Sequence, residues 1–94
     1  MITFPGVTAE RLAEALRATL HPTMLDVRDD SALHAGHAGA REGRHFSVSV
    51  VSAAFDGLSR LARHRLVYDA ARPLIVEGIH ALAIEARTPA EAQR

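Results

Sequence analysis

His45-Phe46-Ser47-Val48-Ser49-Val50-Val51-Ser52 alternates apolar with small polar side chains. A period of two belongs to an extended chain with one face buried and one open, so it predicts a strand over residues 45–52 with Phe46, Val48 and Val50 on one face. Upstream, Leu25 and Val27 alternate with Asp26 and Arg28 in the same way. These two strands are expected to pair as a hairpin whose tip covers residues 31–44. A loop longer than about 12 residues without secondary structure of its own is usually functional or disordered. Downstream, residues 79–87 read as a third strand, with His80, Leu82, Ile84 and Ala86 on one face. Ile79, Ala81, Ala83, Glu85 and Arg87 fall on the other, because successive side chains of a strand point to opposite sides.

Helical periods fill the intervals. Leu12, Leu16 and Leu20 recur every fourth residue, which places them on one stripe of a helix over residues 9–20. Thr8 is its N-cap, Val7 can staple onto Leu12, and His21-Pro22 ends it, since a residue before proline is driven out of the helical region. Ser59 caps a second helix with Ala62, Leu66, Ala70 and Leu74 in line, joined by Leu58, Val67 and Ala71. Pro73 lacks a backbone donor and crowds the carbonyl of Asp69, which predicts a kink or a break into two helices near Arg72. Gly78 is expected to supply a left-handed stop. Thr88-Pro89-Ala90-Glu91 reads as a capping box with proline at the first helical position, so a short helix follows the third strand. The order α-β-β-α-β-α describes an α+β fold, a three-stranded mixed sheet with helices on one side, in a single domain spanning 1–94. The second helix is the crossover that brings the third strand into the sheet.

Composition narrows the chemistry. At 94 residues and 48% hydrophobic content the chain can bury one modest core and no second one. One Tyr, three Phe and no Trp leave no aromatic platform on which nucleic-acid bases could stack. Eleven acidic residues balance eleven basic ones, so no global field draws the chain to nucleic acid or to an anionic membrane. Every basic residue is Arg, which removes Lys-based nucleophiles. The absence of cysteine removes disulfides, thiolate catalysis and any iron–sulfur or zinc site held by this chain's own sulfur. No segment approaches the about 20 apolar residues of a membrane span, and the first residues do not read as a signal segment, so a cytoplasmic protein is expected.

Six histidines remain as plausible metal ligands. His34 and His37 stand three apart among Ala and Gly, side chains too small to bury an imidazole, and an exposed neutral ring offers a free lone pair. A solvated loop would carry the same pair, and a metal site made by these loop histidines alone is a further alternative. His80 opens the third strand. It reads either as a half-buried histidine bonded to a carbonyl or as a ligand, because the start of that strand would lie near the hairpin tip. Arg60, Arg63, His64 and Arg65 form a basic cluster in the first turns of the second helix. Arg63 and Arg65 there oppose the helix dipole, which points to acidic partners, to another protein, to a solvated face or to phosphate. His21 and His45 are assigned no role. Gly36-His37-Ala38-Gly39 matches a G-x-x-G pattern but lies between two strands, whereas the nucleic-acid clamp of KH modules joins two helices. No catalytic triad, carboxylate pair or P-loop can be assembled, so an enzyme is disfavoured.

The set His34-Ala35-Gly36-His37, residues 45–52, Phe55-Asp56-Gly57, Arg63-His64-Arg65-Leu66-Val67-Tyr68 and Ile79-His80-Ala81-Leu82 closely resembles the BolA family over residues 7–91. The resemblance implies a fold related to class II KH domains. It further implies an adaptor that binds a monothiol glutaredoxin and shares a [2Fe-2S] cluster with it, in iron–sulfur trafficking or iron regulation. Glutaredoxin and the glutathione it brings would supply thiolates, and this chain His80 with His37, or His34 as the alternate. The free chain is expected as a monomer or weak homodimer. The family is also linked to DNA binding and to transcription regulation in the stress response, which makes a regulator using Arg60, Arg63 and Arg65 the second reading. Pro73 departs from the uninterrupted helix expected of the family.

Overall fold

The alternating segments do become the sheet. In the computed structural model, which describes residues 6–31 and 44–93, β1 (Met24–Asp29) runs antiparallel to β2 (Arg44–Val51). The third strand, β3 (Ile79–Arg87), lies parallel to β2 on its other side, so β2 is central and the sheet is mixed. Parallel neighbours need a crossover, and α2 (Arg60–Glu77) provides it. Before the sheet comes α1 (Ala9–Leu20), and after it the single turn α3 (Pro89–Ala92). The limits of α1, β2 and β3 agree with the periodicities to within one residue. Ser52 follows β2 as the cap of the next turn, its amide still donating to the Arg87 carbonyl at 3.0 Å. It accepts from the Ala54 amide at 3.0 Å and donates to the Leu20 carbonyl at 2.6 Å, starting the 3₁₀ turn Ala53–Phe55.

One face of the sheet holds the core. Phe46, Val48 and Val50 are buried there with Leu12, Leu16 and Leu20 of α1 and Val67, Ala71 and Leu74 of α2. Phe55, wholly buried, closes one end of this layer. Burying a Leu, Val or Phe side chain contributes about 1.5–3 kcal/mol, so a chain with few aromatic residues is held by many such contributions. The buried side of α2 is turned toward Val67, Ala71 and Leu74, while Leu66 and Ala70 are only partly covered. Arg11 ties the two long helices together with two 2.8 Å bonds to the carboxylate of Glu77, and also donates to the Gly6 carbonyl. No helix among the described residues is long and apolar enough to cross a membrane.

Three expectations are corrected. Pro73 does not split α2, which is assigned as one helix through Glu77. Pro73 is exposed, so solvent can satisfy the carbonyl that loses its donor. Gly78 is not left-handed: its φ is 173°, and it ends the helix by donating its N–H to the Leu74 carbonyl. The left-handed stop belongs to α1, where His21 has φ 46° and ψ 56° and donates to the Arg17 carbonyl, outside the right-handed helical region as expected before Pro22. Finally, His80 does not share a face with Leu82. The register runs Arg44 against Ile79 and then His45 against Ala81, a bulge that leaves His80 as the extra residue. Strict alternation resumes only from Ala81.

Candidate functional site

The bulge decides what the start of β3 presents. Ile79 is buried against the core, and the next two residues, His80 and Ala81, are both exposed before Leu82 turns inward again. An extra residue on one strand re-aims the side chains beside it. In this case an imidazole that strict alternation would have placed beside Leu82 is open to solvent. Its ring centroid lies 5.3 Å from that of His45, the planes inclined by 54°. Strand pairing brings these two residues together although they lie far apart in the sequence.

The surroundings fix the pair in place. The Arg44 amide donates to the Gly78 carbonyl at 3.0 Å, joining the first residue of β2 to the residue before β3. The His45 amide donates to the Ser31 hydroxyl at 3.1 Å, and its carbonyl accepts from the Asp30 amide at 2.7 Å. Ser31 in turn donates its amide to Asp29, and Arg44 reaches the same carboxyl group at 3.1 Å. The hydrogen bond from Ser31, followed in importance by its amide and by Arg44, holds the Asp29 carboxyl below its ordinary value. The ends of β1 and β2 are therefore bolted to each other where His80 emerges.

His34 and His37 lie outside the described residues. The residues that flank them, Ser31 and Arg44, stand at the same end of the sheet as His80. His45 is the residue that sequence reasoning missed. Only the bulge reveals it as a neighbour of His80, and a bulge leaves no mark on apolar periodicity. Among the described residues no group of three or more His, Asp or Glu gathers as a complete metal shell. The chain offers imidazole nitrogen at an exposed point and has no thiol, a donor set that suits part of a coordination shell completed from outside.

The basic cluster divides. Arg63 is directed inward, with its side chain only 16% exposed. It donates to both carboxylate oxygens of Glu91 at 2.6 and 3.2 Å and to the carbonyls of Leu58 and Ala86 at 3.0 and 3.2 Å. Glu91 also closes the capping box of α3 by accepting from the Thr88 amide at 2.9 Å. These bonds, above all those from Arg63, pull its carboxyl from 4.5 to about 2. Arg63 therefore clamps α2, β3 and α3 together, and Glu91 is the acidic partner that its position near a helix N-terminus implied. Arg60 and Arg65 remain exposed.

A family model described as BolA-like protein matches residues 16–91. The chain belongs to the BolA family. Its fold agrees with the solved BolA domain of SufE1 from Arabidopsis thaliana, with a TM-score of 0.79 at 45% identity, covering 94% of this chain and 99% of that one. BolA-like protein 1 of Mus musculus is 46% identical over 86 residues, which make up 92% of this chain and 61% of the mouse protein. The DNA-binding transcriptional regulator BolA of Escherichia coli is 39% identical over 79 residues, 84% of this chain and 73% of the regulator. The chain spans a quarter of the length of the plant SufE-like protein 1 and about half of plant BOLA1, so those proteins contain more than a BolA domain's length.

Proposed function

We propose that this BolA protein is a non-enzymatic adaptor that binds a monothiol glutaredoxin and shares a [2Fe-2S] cluster with it, in iron–sulfur trafficking or iron regulation. The observation that carries the reading is the exposed His80 ring, turned outward by the bulge at the end of the sheet from which residues 32–43 depart. In this reading His80 is one ligand and His37, or His34, the other, while thiolates come from glutaredoxin and its glutathione. His45 lies close enough to His80 to orient its ring or to take its place beside it. When bound, such a cluster supplies one-electron chemistry, and histidine ligation at one iron raises its potential above that of an all-thiolate cluster. The glutathione pool of the cytoplasm suits a partner that depends on that thiol.

The test mixes the protein with a monothiol glutaredoxin, glutathione, iron and sulfide and records visible circular dichroism. The mixed complex is expected to give a spectrum that glutaredoxin alone does not, and His80→Ala to abolish the difference. An unchanged spectrum with the Ala variant sinks the ligand assignment.

The likeness to the DNA-binding transcriptional regulator of E. coli supports a second reading, a transcription regulator that binds DNA. With Arg63 occupied by Glu91, that reading rests on Arg60 and Arg65. It predicts duplex affinity that falls steeply with added salt, since each neutralised phosphate releases counterion.

A further inference from the structure

The other end of β3 carries a feature that neither reading uses. β3 is an edge strand, and the direction of its backbone groups follows from one bond: the Arg87 carbonyl accepts from the Ser52 amide at 3.0 Å, so Arg87 points toward β2. Backbone groups alternate along a strand, which turns those of Leu82, Ile84 and Ala86 outward. Side chains of α2 agree with this by capping two of the three carbonyls. The Tyr68 hydroxyl donates to Leu82 at 3.4 Å and Arg63 donates to Ala86 at 3.2 Å. Among the described residues nothing caps Ile84.

Beside that edge runs a groove of about 610 Å³, with Arg60, Arg63 and His64 on its helix wall and Ile84, Glu85 and Arg87 on its strand wall. Its acidic groups are already engaged. Glu91 is held by Arg63, while Glu85 accepts from the Ser49 hydroxyl at 3.0 Å and lies 3.9 Å from Arg87. No described carboxylate pairs with Arg60. The free charge of the groove is therefore positive, and at Ile84 its backbone offers a donor and an acceptor on the same residue.

We infer that this groove docks a short, extended, acidic segment of a partner protein, added antiparallel to β3 so that one guest residue exchanges both backbone bonds with Ile84. An antiparallel pair is the arrangement in which two opposed residues exchange N–H and C=O. Peptides that extend a sheet gain affinity from these bonds and specificity from alternate side chains. The guest's carboxylates meet Arg60 and His64. The caps on Leu82 and Ala86 limit the added strand to the few residues around Ile84, which also protects the edge from indiscriminate pairing. A single-stranded nucleic acid is the less suitable occupant, since no Phe, Tyr or Trp lines the groove for a base to stack on.

The experiment selects binders from a library of random 12-residue peptides displayed on phage, with the intact protein as target, and maps synthetic copies of the winners by amide NMR. Expected are sequences rich in Asp and Glu, shifts centred on Leu82, Ile84 and Ala86, and exchange of the Ile84 amide at least tenfold slower at saturation. Arg60→Glu, at an exposed position, is expected to weaken binding at least tenfold. Ile84→Pro removes the outward donor without touching the ladder to β2 and is expected to abolish it. If that variant does not fold, the exchange measurement and Arg60→Glu decide alone. The inference is overturned if no peptide is recovered, if the shifts lie elsewhere, or if Arg60→Glu binds as tightly. A mixed-sequence single-stranded DNA 12-mer that shifts the same amides and displaces the peptides would overturn it in favour of nucleic acid.

Discussion

Arg63 in the first turns of α2 and Glu91 in the last turn of the chain hold each other through two hydrogen bonds, one of 2.6 Å and one of 3.2 Å. The pair connects a residue of the basic cluster, for which sequence alone leaves acidic partners, a solvated face and phosphate open, with one that sequence assigns to a local cap. The acidic-partner reading and the cap both hold, and they meet in this one pair. Arg63→Ala removes the carboxylate's partner together with the donors to Leu58 and Ala86. A melting midpoint lowered by a few degrees is expected, with α3 losing amide protection before the sheet does.

Acid should reveal the same contact. Bonded to Arg63, Glu91 has its carboxyl lowered from 4.5 to about 2. A depressed folded-state value means stability that is fully present above the unfolded value and lost as pH falls through the folded one. The contribution of Glu91 is thus expected to fade between about pH 4.5 and pH 2. Urea midpoints measured across this window should fall less steeply for Glu91→Gln than for the unsubstituted chain.

Ser52 offers a sharper test of the core. Its hydroxyl is buried, donates to the last residue of α1 and caps the 3₁₀ turn. Ser52→Ala leaves a carbonyl and an amide short of a partner and is expected to cost about 1–3 kcal/mol by urea denaturation.

For His80 the expectation is the reverse. The residue is exposed, so His80→Ala should change unfolding free energy by no more than about 0.5 kcal/mol. Loss of the mixed-complex spectrum in a variant of unchanged stability would separate a ligand from a packing residue.

Pro73 gives a stabilising prediction. It sits inside a continuous helix at an exposed position where it contributes no backbone donor. Pro73→Ala restores one within reach of the Asp69 carbonyl and is expected to raise stability by about 1–3 kcal/mol, read as a higher urea midpoint.

Which features could be read beforehand follows from the range of the forces behind them. The strands, the helix limits and the caps Thr8, Ser59 and Thr88 depend on neighbours within a turn or two, and the alternation of Phe46, Val48 and Val50 is enough to orient the central strand. Pro73 and Gly78 mislead because local preference is overruled: one by an exposed position with solvent at hand, the other by a close made without a left-handed residue. The clamp between Arg63 and Glu91 and the approach of His45 to His80 join residues distant in the chain, and nothing in either segment's own pattern announces them. His34 and His37, read from a small-residue loop, lie outside the described residues.

The single unmatched residue at the start of β3 is also a removable one. Deleting it would rejoin the two strands in step, with Ile79 still turned to the apolar layer and Ala81 to solvent, and would remove the outward imidazole. A chain with this sheet can therefore gain or lose an outward-looking nitrogen by a one-codon change in length, while each residue from Leu82 onward keeps its neighbours.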